Sequence, residues 1–177
     1  MPADTYPLAY FLTWTTYGTW LHGEARGQGS VDRHHNDFGT AFVSPNAGMQ
    51  HAAAARMTHP AYTLDASARC IVLAALQALA REKIWTLHAA HIRSNHIHLV
   101  MTAPREPGRL MSDLKARASR DLSRSGDSSA KRWTRHGSTR HLFTEESRDR
   151  AVRYTLHEQG VPLCCYPDPR KDEPRTK

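Results

Sequence analysis

His96 and His98 stand one residue apart in "SNHIHLV", residues 94–100, a run otherwise composed like a buried strand. Side chains alternate along a strand, so the two imidazoles share one face while Ile97 and Leu99 share the other. Two imidazoles that close can bind one divalent ion. Two polar, hydrogen-bonded histidines fit the same spacing, and His88 and His91 nearby widen the choice.

Further along, Tyr154 and Glu158 are four residues apart in "RYTLHEQG", 153–160. On a helix that spacing sets a phenol and a carboxylate on nearly one face. Laid across the histidines, such a helix would let Glu158 complete a three-ligand site with His96 and His98 while Tyr154 attacks a phosphorus atom. The metal would neutralise charge developing on the phosphate, and a covalent phosphodiester on the phenol would conserve the bond for rejoining. A half-buried structural tyrosine and a solvated glutamate fit the same residues.

Between Leu114 and His141 lie Lys115, Arg117, Arg120, Arg124, Lys131, Arg132, Arg135 and Arg140 against only Asp121 and Asp127. These cations are the expected nucleic-acid contacts, able to position a phosphate backbone without reading its sequence. The formal net charge of the whole chain, +7, favours polyanionic partners in the same sense. Trp133 beside Arg132 suits base stacking as well as core packing, whereas Trp14, Trp20 and Trp85 read as structural. His34, His35 and Asn36 fit either a DNA border or a stabilised loop.

The elements that must hold these residues follow from pattern. "YFLTWTTY", 10–17, reads as an opening strand. From about 22 to 60 the chain loses its period, as a long surface insertion would. Asp65 can cap a helix to about Lys83, on which Ala68, Ile71, Val72, Ala75, Leu76 and Leu79 form one apolar stripe. "IWTLHAAHI" (84–92) and "HIHLVMTA" (96–103) read as a hairpin across "RSN", ended by Pro104 and Pro107. A second helix is expected over 108–124, a strand bulged near Gly137 over 132–143, and a last helix ending at Gly160. The tail after Pro162 is expected to be loosely ordered.

The order strand, helix, strand, strand, helix, strand predicts an α+β sandwich close to the ferredoxin-like pattern, with the helices on one face of an antiparallel sheet. At 177 residues one domain spanning 1–177 is expected. Hydrophobic residues make up 40% and charged residues 23%, a soluble globular balance with no run long enough to span a membrane. The start "MPADTYPLAY" has no secretory signal pattern, which predicts a cytoplasmic protein. Cys70, Cys164 and Cys165 lack zinc-knot or disulfide-scaffold spacing.

Taken in order, "TWTTYGTWLHGEARGQGSVDRHHN" (13–36), "SNHIHLV", "LKARASRDL" (114–122), "WTRHGSTRHLF" (133–143) and "RYTLHEQG" resemble the IS200-like transposase superfamily, the Y1 transposases with an HUH motif, and within it the REP-associated tyrosine transposase branch. The resemblance implies an HUH-type ferredoxin-like fold and a single-stranded DNA endonuclease and strand transferase that needs Mg²⁺ or Mn²⁺. It places the HUH pair on His96 and His98 and the nucleophile on Tyr154. The third metal-binding side chain of the family falls on Glu158, or on Gln159 after a one-residue slip. Relatives often carry Met-Pro before the Asn or Asp that precedes the first histidine, whereas this chain has Arg93 and Ser94. The implied substrate is single-stranded DNA folded into a hairpin or palindromic repeat, the implied protein a nucleoid-associated monomer or homodimer. The competing expectations are a non-catalytic DNA or RNA hairpin-binding protein and an RNA-processing metal enzyme.

Overall fold

The computed structural model describes residues 6–19 and 47–169. Trp20, His34, His35 and Asn36, most of the expected insertion, and residues 170–177 lie outside the described residues.

The opening strand forms as its aromatic and β-branched composition predicts, β1 over Ala9–Thr15. A short helix, α1 (Ala47–Ala55), falls inside the aperiodic segment. α2 (Ala66–Lys83) starts at Asp65, whose Oδ1 accepts the Ala68 N–H at 2.7 Å. β2 (Thr86–Ile92) and β3 (His96–Thr102) make the expected hairpin. α3 (Pro107–Arg124) uses Pro107 at its first turn, where a missing N–H costs nothing, behind a Glu106 cap. β4 (Ser138–Leu142) and α4 (Glu145–His157) follow, the latter closed by a Thr144–Ser147 capping box. β5 (Cys164–Tyr166) ends the described chain.

All strand pairs are antiparallel, in the order β4-β1-β3-β2-β5. Its first four strands with α2 and α3 are broadly ferredoxin-like. β5 extends the sheet beyond that pattern, pairing Cys165 with His91 where a loosely ordered tail was expected. Three residues with no apolar alternation carry almost no strand signal; the unpaired edge of β2 recruits them.

The main core lies between the sheet and α2 with α3. Leu12, Trp14, Ile97, Leu99 and Met101 meet Val72, Leu76, Leu110 and Leu114 there. Helices on one face only is corrected by α4, which covers the opposite face: Ala151 and Leu156 pack with Ala9, Ala89, Val100 and Leu142. The apolar stripe of α4 is short, and periodicity shows that a helix has a buried side without showing which sheet face receives it.

Position 137 illustrates how tightly the β4 edge is set. A Cβ there would stand 2.5 Å from the Thr13 carbonyl oxygen and 2.6 Å from Met111 Sδ. Only glycine lets the backbone come that close to β1. The expected long strand over 132–143 is accordingly split, with Trp133 making an isolated bridge to Thr16 before β4 begins.

Candidate active site

Alternation in β3 sends Ile97, Leu99 and Met101 into the α2–α3 core and turns His96, His98 and Val100 toward α4. A bulge in β2 at His88 restores the register, so that His91 pairs directly with His98 on the same face. Here the histidine rings gather. The centroids of His96 and His98 are 4.8 Å apart at 86°, and Phe11 of β1 stacks on His98 at 5.8 Å with its plane turned by 6°.

Both metal-candidate rings are held from their Nδ1 side. His96 Nδ1 lies 2.7 Å from Asn95 Oδ1, and His98 Nδ1 lies 3.0 Å from the Thr13 hydroxyl. A histidine oriented through one nitrogen keeps the other for a ligand, so this arrangement suits Nε2 coordination. Burial, then the Arg93 charge, lowers the His96 pKa to about 4. Burial, then His96, His91 and Arg93, lowers that of His98 to about 3, against the Gln159 side chain, which raises it. Near neutral pH both rings are therefore uncharged, the form that binds a metal.

α4 brings the phenol over this pair. The Tyr154 ring stands edge-on to His98 at 6.0 Å and to Phe11 at 5.8 Å, half-buried between sheet and solvent. One turn later α4 has ended. Glu158 is the C-cap, its N–H donating to the Tyr154 carbonyl at 3.2 Å, and its side chain is exposed. Among the described residues no three His, Cys, Asp or Glu side chains gather where they could hold one ion. Gln159 follows the cap, half-buried, and its side chain favours the charged form of the His98 ring. The helical spacing that favours Glu158 stops applying at the cap, where the backbone leaves helical dihedrals.

His91, fully buried, is committed to backbone at both nitrogens: its Nδ1–H donates to the Thr155 carbonyl and its Nε2 accepts the Leu163 N–H, both at 3.2 Å. It ties the end of α4 and the approach to β5 onto the sheet. His88 Nε2 lies 2.8 Å from the Thr102 hydroxyl.

The expected nucleic-acid residues divide. Lys115 donates to the carbonyls of Thr134 and His136 at 2.9 and 3.1 Å, and burial lowers its pKa to about 8. Arg117 Nη1 donates to both carboxylate oxygens of Glu82 at 2.8 Å, and its Nε bonds Asp121, which Arg124 shares. Arg132 is only 8% exposed and bonds Asp127 and Ser123. Lys131 lies over the Tyr17 ring at 4.3 Å, while Arg120 and Arg135 are exposed. The α3 cations belong to the helix layer behind the sheet, away from the histidines. Arg140 instead pairs with Phe11 across β1–β4, which sets it on the histidine face. Trp133 packs into the core, its indole N–H donating to Ser119 Oγ at 2.8 Å.

Two positions that pattern reading passed over act at this site. Thr13 and Asn95 orient the two rings, and their only sequence signal is place: Asn95 directly precedes His96, and Thr13 lies opposite His98 once β1 and β3 pair.

No family model matches the chain, and no curated protein matches it. A solved structure of a REP-associated tyrosine transposase bound to a REP hairpin is similar to it, with a TM-score of 0.45 and 10% sequence identity over 86% of this chain and 67% of the other. That likeness is too distant to carry function.

Proposed function

We propose that the protein is a metal-dependent single-stranded DNA endonuclease and strand transferase that acts at hairpins through Tyr154. The observation that supports it is the placement of His96, His98 and Tyr154 together on the sheet face that α4 covers. The donor set fits a divalent ion: two neutral imidazoles held by their Nδ1 atoms and an amide beside them. His96, His98 and Gln159 would hold Mg²⁺ or Mn²⁺, which when bound supplies charge neutralisation at the scissile phosphate.

The residues of the chain do the rest. Phe11 and the edge of His98 confine the Tyr154 ring, limiting the orientations of its oxygen. That oxygen attacks phosphorus, the bond from phosphorus to the 3′-oxygen breaks, and the phenolic proton ends on the departing 3′-hydroxyl. The product is a 5′-phosphotyrosine. Attack by a different 3′-hydroxyl reverses the exchange, returns the proton to Tyr154 and joins a new strand.

Labelled hairpin-flanked single-stranded DNA incubated with Mn²⁺ is expected to give a covalent protein–DNA adduct, abolished by Tyr154→Phe and by EDTA. A second reading, non-catalytic hairpin binding, draws on the exposed Glu158 and on the lack of a three-member acid, histidine or cysteine cluster among the described residues. Under it, wild type and Tyr154→Phe bind hairpins equally and neither forms an adduct with any flanking sequence.

A further inference from the structure

We infer that Arg93 is a positioning residue that ties the Gln159 segment to the strand of His96 and His98, and so joins the two halves of the proposed metal site. The inference rests on the reading of His96, His98 and Gln159 as that site. Gln159 lies past the end of α4, where no helical backbone fixes it, in a stretch whose next residue, Gly160, has a φ of 74°. A side chain there keeps a defined direction only if its backbone is held from outside.

Arg93 supplies that hold. Its Nη1 donates to the Gln159 carbonyl and reaches the Val161 carbonyl at 3.5 Å. The guanidinium lies along Gly160 between them, 3.8 and 3.9 Å from where a Cβ would be. Its own backbone N–H donates to the His96 carbonyl at 2.9 Å. One residue therefore touches the backbone of two candidate ligands, Gln159 and His96. Two residues earlier, His91 holds Thr155 and Leu163, so the end of β2 flanks the whole segment and leaves its middle to Arg93. The chemistry suits arginine. Backbone carbonyls outside a helix need donors, and a planar guanidinium can serve two of them where an ammonium presents one compact charge.

The test is Mn²⁺ titration of the full chain by calorimetry, at a temperature where circular dichroism shows each variant folded. Wild type, Arg93→Leu, Arg93→Lys, Gln159→Ala, the Arg93→Leu/Gln159→Ala double variant and His96→Asn/His98→Asn are compared. Arg93→Leu and Gln159→Ala are each expected to weaken Mn²⁺ binding by about tenfold or more, the range typical of residues that orient ligands. The double variant is expected to be no weaker than either single one, because both changes remove the same ligand, and Arg93→Lys recovers part of the loss. A diamagnetic check is the Gln159 side-chain amide resonance, which shifts with Mg²⁺ in wild type and stays put in Arg93→Leu. Wild-type affinity in Arg93→Leu, with binding lost in His96→Asn/His98→Asn, overturns the role of Arg93 and leaves the metal site standing. Equal titrations for wild type and the double histidine variant overturn both.

Discussion

At the scale of single residues, the two imidazoles of β3 make the metal-free protein sensitive to acid. Both pKa values lie below the ordinary 6.5, near 4 for His96 and near 3 for His98, chiefly through burial. The unfolded chain therefore takes up protons that the folded chain refuses, so stability is complete above about pH 6.5 and falls as pH drops toward 4. In EDTA the urea midpoint is expected to be lower at pH 5 than at pH 7, and His96→Gln/His98→Gln should flatten the difference. A wild-type midpoint that does not move over that range would remove the argument for buried neutral imidazoles. The proposed donor set bears on metal choice. Two nitrogens and an amide, with no carboxylate, suit Mn²⁺ better than Mg²⁺. Calorimetry is expected to show at least tenfold tighter Mn²⁺ binding, an outcome that comparable affinities would contradict. That the two imidazoles share a face was readable from spacing, because strand alternation holds along β3. The setting of Glu158 was not, because α4 stops at His157 and leaves Glu158 as its cap.

Among the elements, β4 depends on a backbone approach that only position 137 allows. Gly137→Ala would drive a methyl group into the Thr13 carbonyl and the Met111 thioether. The flexible Met111 end can yield, but the β1 backbone cannot without disturbing the strand that orients His98 through Thr13. The expected cost is about 1–3 kcal/mol, read as a lower denaturation midpoint, and the adduct yield should fall with it. Retained stability would mean that β4 can shift away without consequence. The division of elements by length explains what pattern reading reached. α2 and α3 each carry eighteen residues of helical period with caps at their starts, and were expected within a residue or two. α4 was expected too, but its position on the other face is decided by the competition between two sheet surfaces for a short stripe. β5 is decided by a free strand edge, which no local pattern expresses.

At the scale of the whole molecule, the sheet separates two surfaces that the charge pattern alone had merged. α3 and its cations lie behind the sheet, and several of them are committed within the chain: Arg117 bridges to Glu82 of α2, and Lys115 holds the segment before β4. The histidines, Tyr154 and Arg140 share the front. If single-stranded DNA crosses the front, removing Arg140 should lower affinity and reduce the slope of log K against log salt by about 0.7, one phosphate contact. Arg117→Ala should leave that slope unchanged and instead cost up to about 1 kcal/mol of stability, because its pairs are partly solvated. Fluorescence anisotropy with a labelled hairpin at several salt concentrations, in EDTA so that no strand is cut, separates the two surfaces. The opposite ranking, with Arg117 setting the slope and Arg140 silent, would move the nucleic acid to the helix layer, away from Tyr154. Cleavage by that tyrosine would then require a strand that wraps the sheet edge, and the simpler account would be a protein that binds hairpins without cutting them.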